Sequence, residues 1–126
     1  MPSATRLEVP VKYMLLIYTN PENWATFSEG ETKQVLDEYF AFTKHITDSG
    51  EFVAGDPLQG PETATVVRIR EGGRAISDGP FVETKEHLAG YYLVDCPSLD
   101  RALELAAMIP DSRFGAVEVR PLAEFG

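Results

Sequence analysis

The segment 77–86 holds the side chains of this sequence best suited to chemistry. Asp78 and Glu83 bring carboxylates, and Lys85 brings an ammonium group. A positioned carboxylate can act as a general acid or base, and an ammonium can anchor an anion. Phe81 adds an apolar ring against which a ligand can pack. Asp78 and Glu83 are therefore candidate catalytic residues, and Phe81 and Lys85 are candidate ligand-binding residues.

The same residues also have a structural interpretation. An Asp before a Gly is a frequent turn former, because its side chain accepts hydrogen bonds from nearby backbone amides, so Asp78 can simply shape a loop. Phe81 can be a core or interface residue. The charges at positions 83–86 can belong to a solvated loop. The sequence leaves both interpretations open.

Arg120 and Tyr18 are further candidate ligand-binding residues. In the alternating segment 116–120, Arg120 lies on the face opposite Val117 and Val119. An arginine on that face either pairs with a carboxylate or binds an acidic or aromatic ligand. Tyr18 can add a hydroxyl to the same cleft or belong to the core.

The other reactive residue types are few. A metal site needs three or four ligands, and the two histidines, His45 and His87, have no ligand partners nearby in the sequence. We therefore predict no metal. His87 follows the segment 77–86 directly and is the stronger candidate for a titrating group, although a surface histidine is the simpler interpretation. Cys96 is the only cysteine, which excludes an intramolecular disulfide. No phosphate loop or dinucleotide fingerprint is present, and we expect no cofactor.

Composition excludes several classes of protein. The 126 residues suit one domain, and the net charge of -9 lacks the basic footprint that binding to nucleic acid or an anionic membrane requires. The longest apolar stretch, 13–18, is too short to cross a membrane. No signal-peptide pattern follows the N-terminus. We expect a cytoplasmic protein with a loose extension at 1–10 and a single domain at 11–126.

Hydrophobic patterning predicts the elements that must position these side chains. Ser28 and Glu31 fit a capping box that begins a long helix, and Gly50 suits its end. The predicted helix 28–49 has the buried stripe Val35, Leu36, Tyr39, Phe40, Thr43 and Ile46. A second helix between Ser98 and Pro110 has the stripe Leu99, Ala102, Leu103 and Ala106. The predicted strands are 11–18, 52–54, 63–70, 74–77, 88–95 and 116–120.

This order is close to a βαββαβ unit with an additional strand, which is a ferredoxin-like α+β pattern with two helices on one face of the sheet. The strands 11–18 and 88–95 are apolar on both faces. An open apolar sheet face of that size would be unusual in a monomer. We therefore expect a second subunit to cover it, giving a homodimer with the two sheets face to face.

The segment Ser77-Asp78-Gly79-Pro80-Phe81-Val82-Glu83-Thr84-Lys85-Glu86 closely resembles the signature of the DGPF proteins, which belong to the YCII-related family. The similarity covers nearly the whole chain, from about Lys12 to Leu122. It includes the strand segments 12–18, 65–68, 90–94 and 117–121.

The resemblance implies a dimeric α+β-barrel fold and much less about activity. Many DGPF proteins are encoded beside extracytoplasmic-function sigma factors. Some relatives in the wider family are enzymes, including a dehydrochlorinase of chlorinated aromatics, and a His–Asp pair has been proposed as catalytic in others. The comparable helix position here falls near Tyr39, and His45 lies a turn and a half later. We therefore do not transfer that pair to this chain.

Together these patterns indicate a homodimer that binds a small molecule in a cleft, with the segment 77–86 as one wall. If the protein is an enzyme, we expect acid–base chemistry without a cofactor, such as elimination, isomerisation or hydrolysis. The alternative is a non-catalytic interaction protein that works with a regulatory partner. A third hypothesis is that the segment 77–86 only holds the dimer together.

Overall fold

A computed structural model describes residues 11–81 and 84–123 of the chain. The strands are β1 (Val11–Thr19), β2 (Phe52–Pro57), β3 (Thr65–Arg70), β4 (Gly73–Asp78), β5 (His87–Cys96) and β6 (Ala116–Pro121). Four of them form an antiparallel sheet in the order β2-β5-β1-β6. The helices are α1 (Pro21–Ala25), α2 (Glu29–Asp48) and α3 (Leu99–Met108), with short 3-10 turns at Pro61–Thr63 and Pro110–Ser112.

The topology confirms the predicted ferredoxin-like α+β fold. Without β3, β4 and the short helix α1, the chain runs strand, helix, strand, strand, helix, strand, and β1 and β5 are the two central strands. The strands β3 and β4 form a separate two-stranded hairpin between β2 and β5. The predicted extension at 1–10 lies outside the described residues.

The long helix α2 begins and ends where the sequence predicts. The Ser28 hydroxyl accepts a hydrogen bond from the Glu31 amide at 3.1 Å, and the Glu31 carboxylate accepts one from the Ser28 amide at 3.0 Å. This reciprocal pair satisfies amides that have no partner within the helix. Gly50 follows the helix with φ 79°, a conformation that glycine adopts without steric cost.

The core lies between the helices and one face of the sheet, which we call the inner face. Its largest fully buried side chains include Leu15 and Val94 from the sheet and Ile46 and Leu105 from the helices. Burying a side chain of this size contributes about 1.5–3 kcal/mol relative to exposure. These contacts fix α2 and α3 against the sheet.

The predicted buried stripes of both helices are partly wrong. On α3, Leu99 and Leu103 are about half exposed, while Leu105 is buried between Ala102 and Ala106. The helix is therefore turned slightly about its axis relative to the prediction. On α2, Phe40 is 72 % exposed. Its exposure has a different cause, because this part of α2 borders a cavity rather than the core.

The opposite, outer face of the sheet carries alternate residues of the same strands. Met14, Leu16 and Leu93 point to this face and are partly exposed, whereas their neighbours Leu15 and Val94 are fully buried. In the single chain, β1 and β5 are therefore fully buried on the inner face and only partly buried on the outer face. Covering of the outer face by a second subunit stays a prediction.

The hairpin of β3 and β4 turns at Glu71 and Gly72, which have φ angles of 52° and 77°. Positive φ at both central positions matches the right-handed twist of the flanking strands. Glycine at position 72 adopts such an angle without steric cost. Every residue of β4 is exposed, so the hairpin lies apart from the core. Within the described residues, no helix is long and apolar enough to cross a membrane.

Candidate functional site

A cavity of about 620 Å³ lies between α2 and the inner face of the sheet, near the β2 edge. We call it the helix–sheet cavity. Most of its lining side chains are apolar or aromatic. They include Ile17, Trp24, Leu36, Tyr39, Phe40, Phe52, Leu58, Leu88 and Tyr92.

Two glycines bring β2 and β5 together in the wall of this cavity. A Cβ atom on Gly55 would lie 2.7 Å from the Tyr92 ring, and one on Gly90 would lie 2.9 Å from the Asp56 carbonyl oxygen. Larger residues at these positions would push the two strands apart. The absence of side chains here leaves the backbone as the floor of the cavity.

A hydrogen-bonded cluster holds the helical wall in place. Asp111, which is only 3 % exposed, accepts a hydrogen bond from the Trp24 indole nitrogen at 3.0 Å and another from the Tyr39 hydroxyl. These bonds connect α1, α2 and the turn after α3. Both carboxylate oxygens of Asp111 are engaged, so this residue positions its neighbours.

The Tyr39 phenol is kept neutral by its surroundings. Burial raises the pKa of Tyr39 strongly, and the hydrogen bond to the Asp111 carboxylate raises it further. The Tyr39 hydroxyl donates a hydrogen bond to Asp111. The lone pairs of the Tyr39 oxygen therefore stay available to accept a hydrogen bond from a ligand. Tyr39 can therefore orient a donor group in the cavity.

Thr19 contributes an unpaired hydroxyl to the same wall. Its Oγ1 atom is buried and has no hydrogen-bond partner among the described residues. By contrast, the nearby Thr43 hydroxyl lies 2.7 Å from the Tyr92 hydroxyl. Leaving a buried hydroxyl unpaired costs about 1–3 kcal/mol. A ligand in the cavity would satisfy the Thr19 hydroxyl.

A second, more polar cavity of about 720 Å³ adjoins the first. We call it the motif-loop cavity, because it is lined by Pro80, Thr84 and Lys85, which belong to the signature motif in the segment 77–86. Its other lining residues are Asn20, Pro21, Glu22, Pro61, Glu62 and His87. His87 lines both cavities and pairs with Thr19 in the β1–β5 register.

The structure separates the residues that the sequence singled out. Lys85 lines the motif-loop cavity, whereas Asp78, at the end of β4, and Phe81 lie outside the described walls of both cavities. The Arg68 guanidinium lies 4.7 Å from the centre of the exposed Phe81 ring. Glu83 lies outside the described residues. The catalytic roles of Asp78 and Glu83 and the ligand-binding role of Phe81 stay predictions.

Tyr18 and Arg120 lie together on the outer face of the sheet. The Tyr18 hydroxyl donates to a Glu118 carboxylate oxygen at 3.3 Å, and the Arg120 guanidinium lies 3.9 Å from the other oxygen. Partial burial raises the pKa of Tyr18, and the Glu118 carboxylate raises it further. This carboxylate lies on the same strand as Arg120, so the pairing is not the one across the sheet that the sequence suggested, and the role of Arg120 in ligand binding stays a prediction.

The cavity residues that the sequence did not indicate are Thr19 and Asp111, because no local pattern singles them out. Tyr39 belonged to the predicted buried stripe of α2 and could equally supply a hydroxyl to a cleft. His87 was noticed only for its place after the segment 77–86. Across residues 11–81 and 84–123, no three His, Cys, Asp or Glu side chains form a group able to hold a metal ion.

A ferredoxin-like α+β sheet with a cavity beneath its long helix defines the class of this protein. A family model described as the YCII-related domain matches residues 11–126. An uncharacterized protein of Rhizobium meliloti (strain 1021) is 34 % identical over 113 residues, which cover 88 % of this chain and 91 % of that protein. The chain belongs to the YCII-related family, as the resemblance of the segment 77–86 indicated.

Proposed function

We propose that this protein binds a small, mainly apolar molecule in the helix–sheet cavity, and that it does so as a homodimer in the cytoplasm. The observation that carries the proposal is the Thr19 hydroxyl, which is buried without a partner among residues 11–81 and 84–123 in the wall of a largely apolar cavity. Buried polar groups are nearly always hydrogen-bonded, so an exception at a cavity wall points to a ligand.

The polar groups around the cavity suit acid–base chemistry without a cofactor. Histidine is the side chain whose ordinary titration lies closest to neutral pH, and His87 lines the cavity. In an isomerisation, His87 would remove a proton from one ligand atom and return it to another, so the reaction balances without a further reactant. Tyr39 and Thr19 would hold the polar group of the ligand during the transfer.

The test removes the Thr19 hydroxyl while keeping the shape of the side chain. We expect Thr19→Val to weaken binding of naphthol, a neutral aromatic probe whose hydroxyl is attached directly to its ring, by about tenfold, which is the loss of one hydrogen bond. The melting temperature should stay the same or rise, because an unpaired buried hydroxyl is removed. Calorimetric titration and thermal unfolding would measure both quantities.

The exposed residue Thr65 offers a matched control. Thr65→Val makes the same chemical change on the hairpin and should leave probe affinity unchanged. Equal affinity of Thr19→Val and the wild type would contradict the proposal. So would a large loss of stability in Thr19→Val, since it would assign the hydroxyl to folding.

The homodimer is supported by the outer face of the sheet. Leu16 lies near its centre, opposite Tyr91 on β5 and Glu118 on β6, and it is only partly buried. Met14 pairs with Leu93 beside it, and the apolar surface that these side chains form across β1 and β5 is of the kind that marks interaction sites. A two-fold axis would place the same patch of both subunits together, as most homodimers do.

We expect sedimentation to give a dimer for the wild type and a monomer for Leu16→Glu, because a carboxylate would be buried without a partner in the interface. Leu103→Glu is the control, since Leu103 is about half exposed on α3. It should stay dimeric. A wild-type monomer at micromolar concentration would contradict the dimer directly, whatever the variants do.

A second candidate function is a non-catalytic regulatory role beside an extracytoplasmic-function sigma factor. It is favoured by the hairpin, where Val67, Ile69 and Ile76 are each more than half exposed on one face. A stoichiometric complex with an extracytoplasmic-function sigma factor of the same organism, measured by gel filtration of the two purified proteins, would support this role. Separate elution would count against it.

A further inference from the structure

The helix–sheet cavity and the motif-loop cavity share part of their walls. Pro21, Pro61 and His87 line both of them. A boundary made of side chains common to both cavities is one residue thick. His87, which is partly buried at the start of β5, stands at this boundary.

The two cavities differ sharply in chemistry. The helix–sheet cavity presents aromatic rings, including Trp24, Tyr39 and Tyr92, which pack well against a planar ring. Its described lining residues include no lysine or arginine, and the carboxylates of Asp56 and Asp111 already accept hydrogen bonds from other side chains. This cavity therefore suits an uncharged apolar body.

The motif-loop cavity presents hydrogen-bonding groups instead. Asn20, Thr84 and Lys85 line it, together with the carboxylates of Glu22 and Glu62. The Asn20 side-chain oxygen accepts a hydrogen bond from the Glu22 amide at 2.9 Å, which leaves its NH₂ group to donate. Donors and acceptors side by side suit a polar group that can both donate and accept.

We propose that the two cavities are one elongated site for an amphiphilic molecule with a planar apolar body and a polar head. The body lies in the helix–sheet cavity, the head lies in the motif-loop cavity, and the bond between them passes His87. This inference rests on the proposed function for the body and adds the place of the head. It gives the loop that carries Pro80, Thr84 and Lys85 a role in selecting the ligand.

The test compares two probes with the same ring system. Naphthylethanol has a hydroxyl head, and ethylnaphthalene lacks it. The chain contains one tryptophan, so the indole N–H signal of Trp24 in a nitrogen–proton NMR spectrum reports occupancy of the helix–sheet cavity. The backbone amides of Thr84 and Lys85 report occupancy of the motif-loop cavity.

We expect both probes to shift the Trp24 signal and only naphthylethanol to shift the signals of Thr84 and Lys85. Naphthylethanol should bind about tenfold more tightly, since one added hydrogen bond is worth roughly that factor. If both probes bind equally and neither shifts the loop amides, the single elongated site is overturned while the proposed function stands. If neither probe shifts Trp24, the proposed function itself fails.

A variant pair tests the position of the junction. His87→Trp adds bulk between the cavities and should weaken naphthylethanol about tenfold while leaving the affinity of ethylnaphthalene unchanged. The matched control is His45→Trp, because His45 is exposed on the last turn of α2. Equal losses for the two probes would contradict a junction at His87. The NMR comparison on the wild type decides the proposal even if His87→Trp does not fold.

Discussion

The four-stranded sheet and the β3–β4 hairpin are built from similar branched apolar residues, yet they differ in what covers them. Leu15 on β1 is 0 % exposed because α2 and α3 pack against the inner face, whereas Ile69 on β3 is 62 % exposed. Alternating apolar residues thus define a strand but do not decide its burial. Folding stability should reside in the sheet and its helices, and the hairpin should serve contacts outside the folded core.

The largest effect that would test this contrast is expected at Leu15. We expect Leu15→Ala to lower the free energy of unfolding by about 2–5 kcal/mol, because it removes buried methyl groups and leaves a cavity. Urea unfolding followed by circular dichroism would measure the change. A loss below about 1 kcal/mol would show that the inner face tolerates voids. The core of the sheet would then contribute no more to stability than the hairpin does.

A smaller and pH-dependent effect is expected at the ion pair between Glu51 and Arg101. Glu51 is buried after α2, and the Arg101 guanidinium donates two hydrogen bonds to its carboxylate, both at 2.9 Å. These bonds lower the pKa of Glu51 and outweigh its burial, which raises it. The pair joins the end of α2 to the start of α3, within the well-covered part of the molecule.

The direction of the pH effect follows from the lowered pKa. A carboxyl group with a lower pKa in the folded state stabilises the fold above its unfolded pKa, near 4.5, and this contribution is lost as pH falls through the folded value. We expect Glu51→Gln to cost about 1–2 kcal/mol at pH 7, with the difference from the wild type shrinking as the pH falls below about 4.5. Urea unfolding of both proteins at pH 7 and at a pH below about 4.5 would measure this difference.

Asp37 provides the control for this ion pair. It forms an exposed pair with Lys33 at 2.8 Å on the surface of α2. Exposed pairs of this kind contribute about 0.3–0.5 kcal/mol. Asp37→Asn should therefore show a much smaller difference at every pH. A loss of stability in Glu51→Gln that is independent of pH would show that ionisation of Glu51 does not stabilise the fold.

The sequence predicted what depends on local chemistry. The capping box at Ser28 and the glycine at 50 act within a few residues, and the helix between them was predicted within one residue at each end. The hairpin turn likewise depends only on Glu71 and the glycines beside it. Such signals can be recognised in the sequence because the groups that interact are close in the chain.

The candidate site could not be predicted in the same way. The hydrogen bond from Trp24 to Asp111 joins residues 87 positions apart, and the unpaired Thr19 hydroxyl is noticeable only when its surroundings are known. The apolar periodicity of α2 placed Phe40 and Ile46 on one stripe. It could not tell that one borders a cavity and the other the core, because that depends on the path of β2 and β5.

The smallest effect is expected on the hairpin itself. Ile69→Ala should change the free energy of unfolding by no more than about 0.5 kcal/mol, because an exposed side chain loses little contact area when it is shortened. Comparing it with Leu15→Ala under the same urea conditions measures the contrast between the two regions directly. A loss above about 1.5 kcal/mol would mean that the hairpin face is covered in solution. A loss that grows with protein concentration would then assign the cover to a second copy of the chain, since only association depends on concentration.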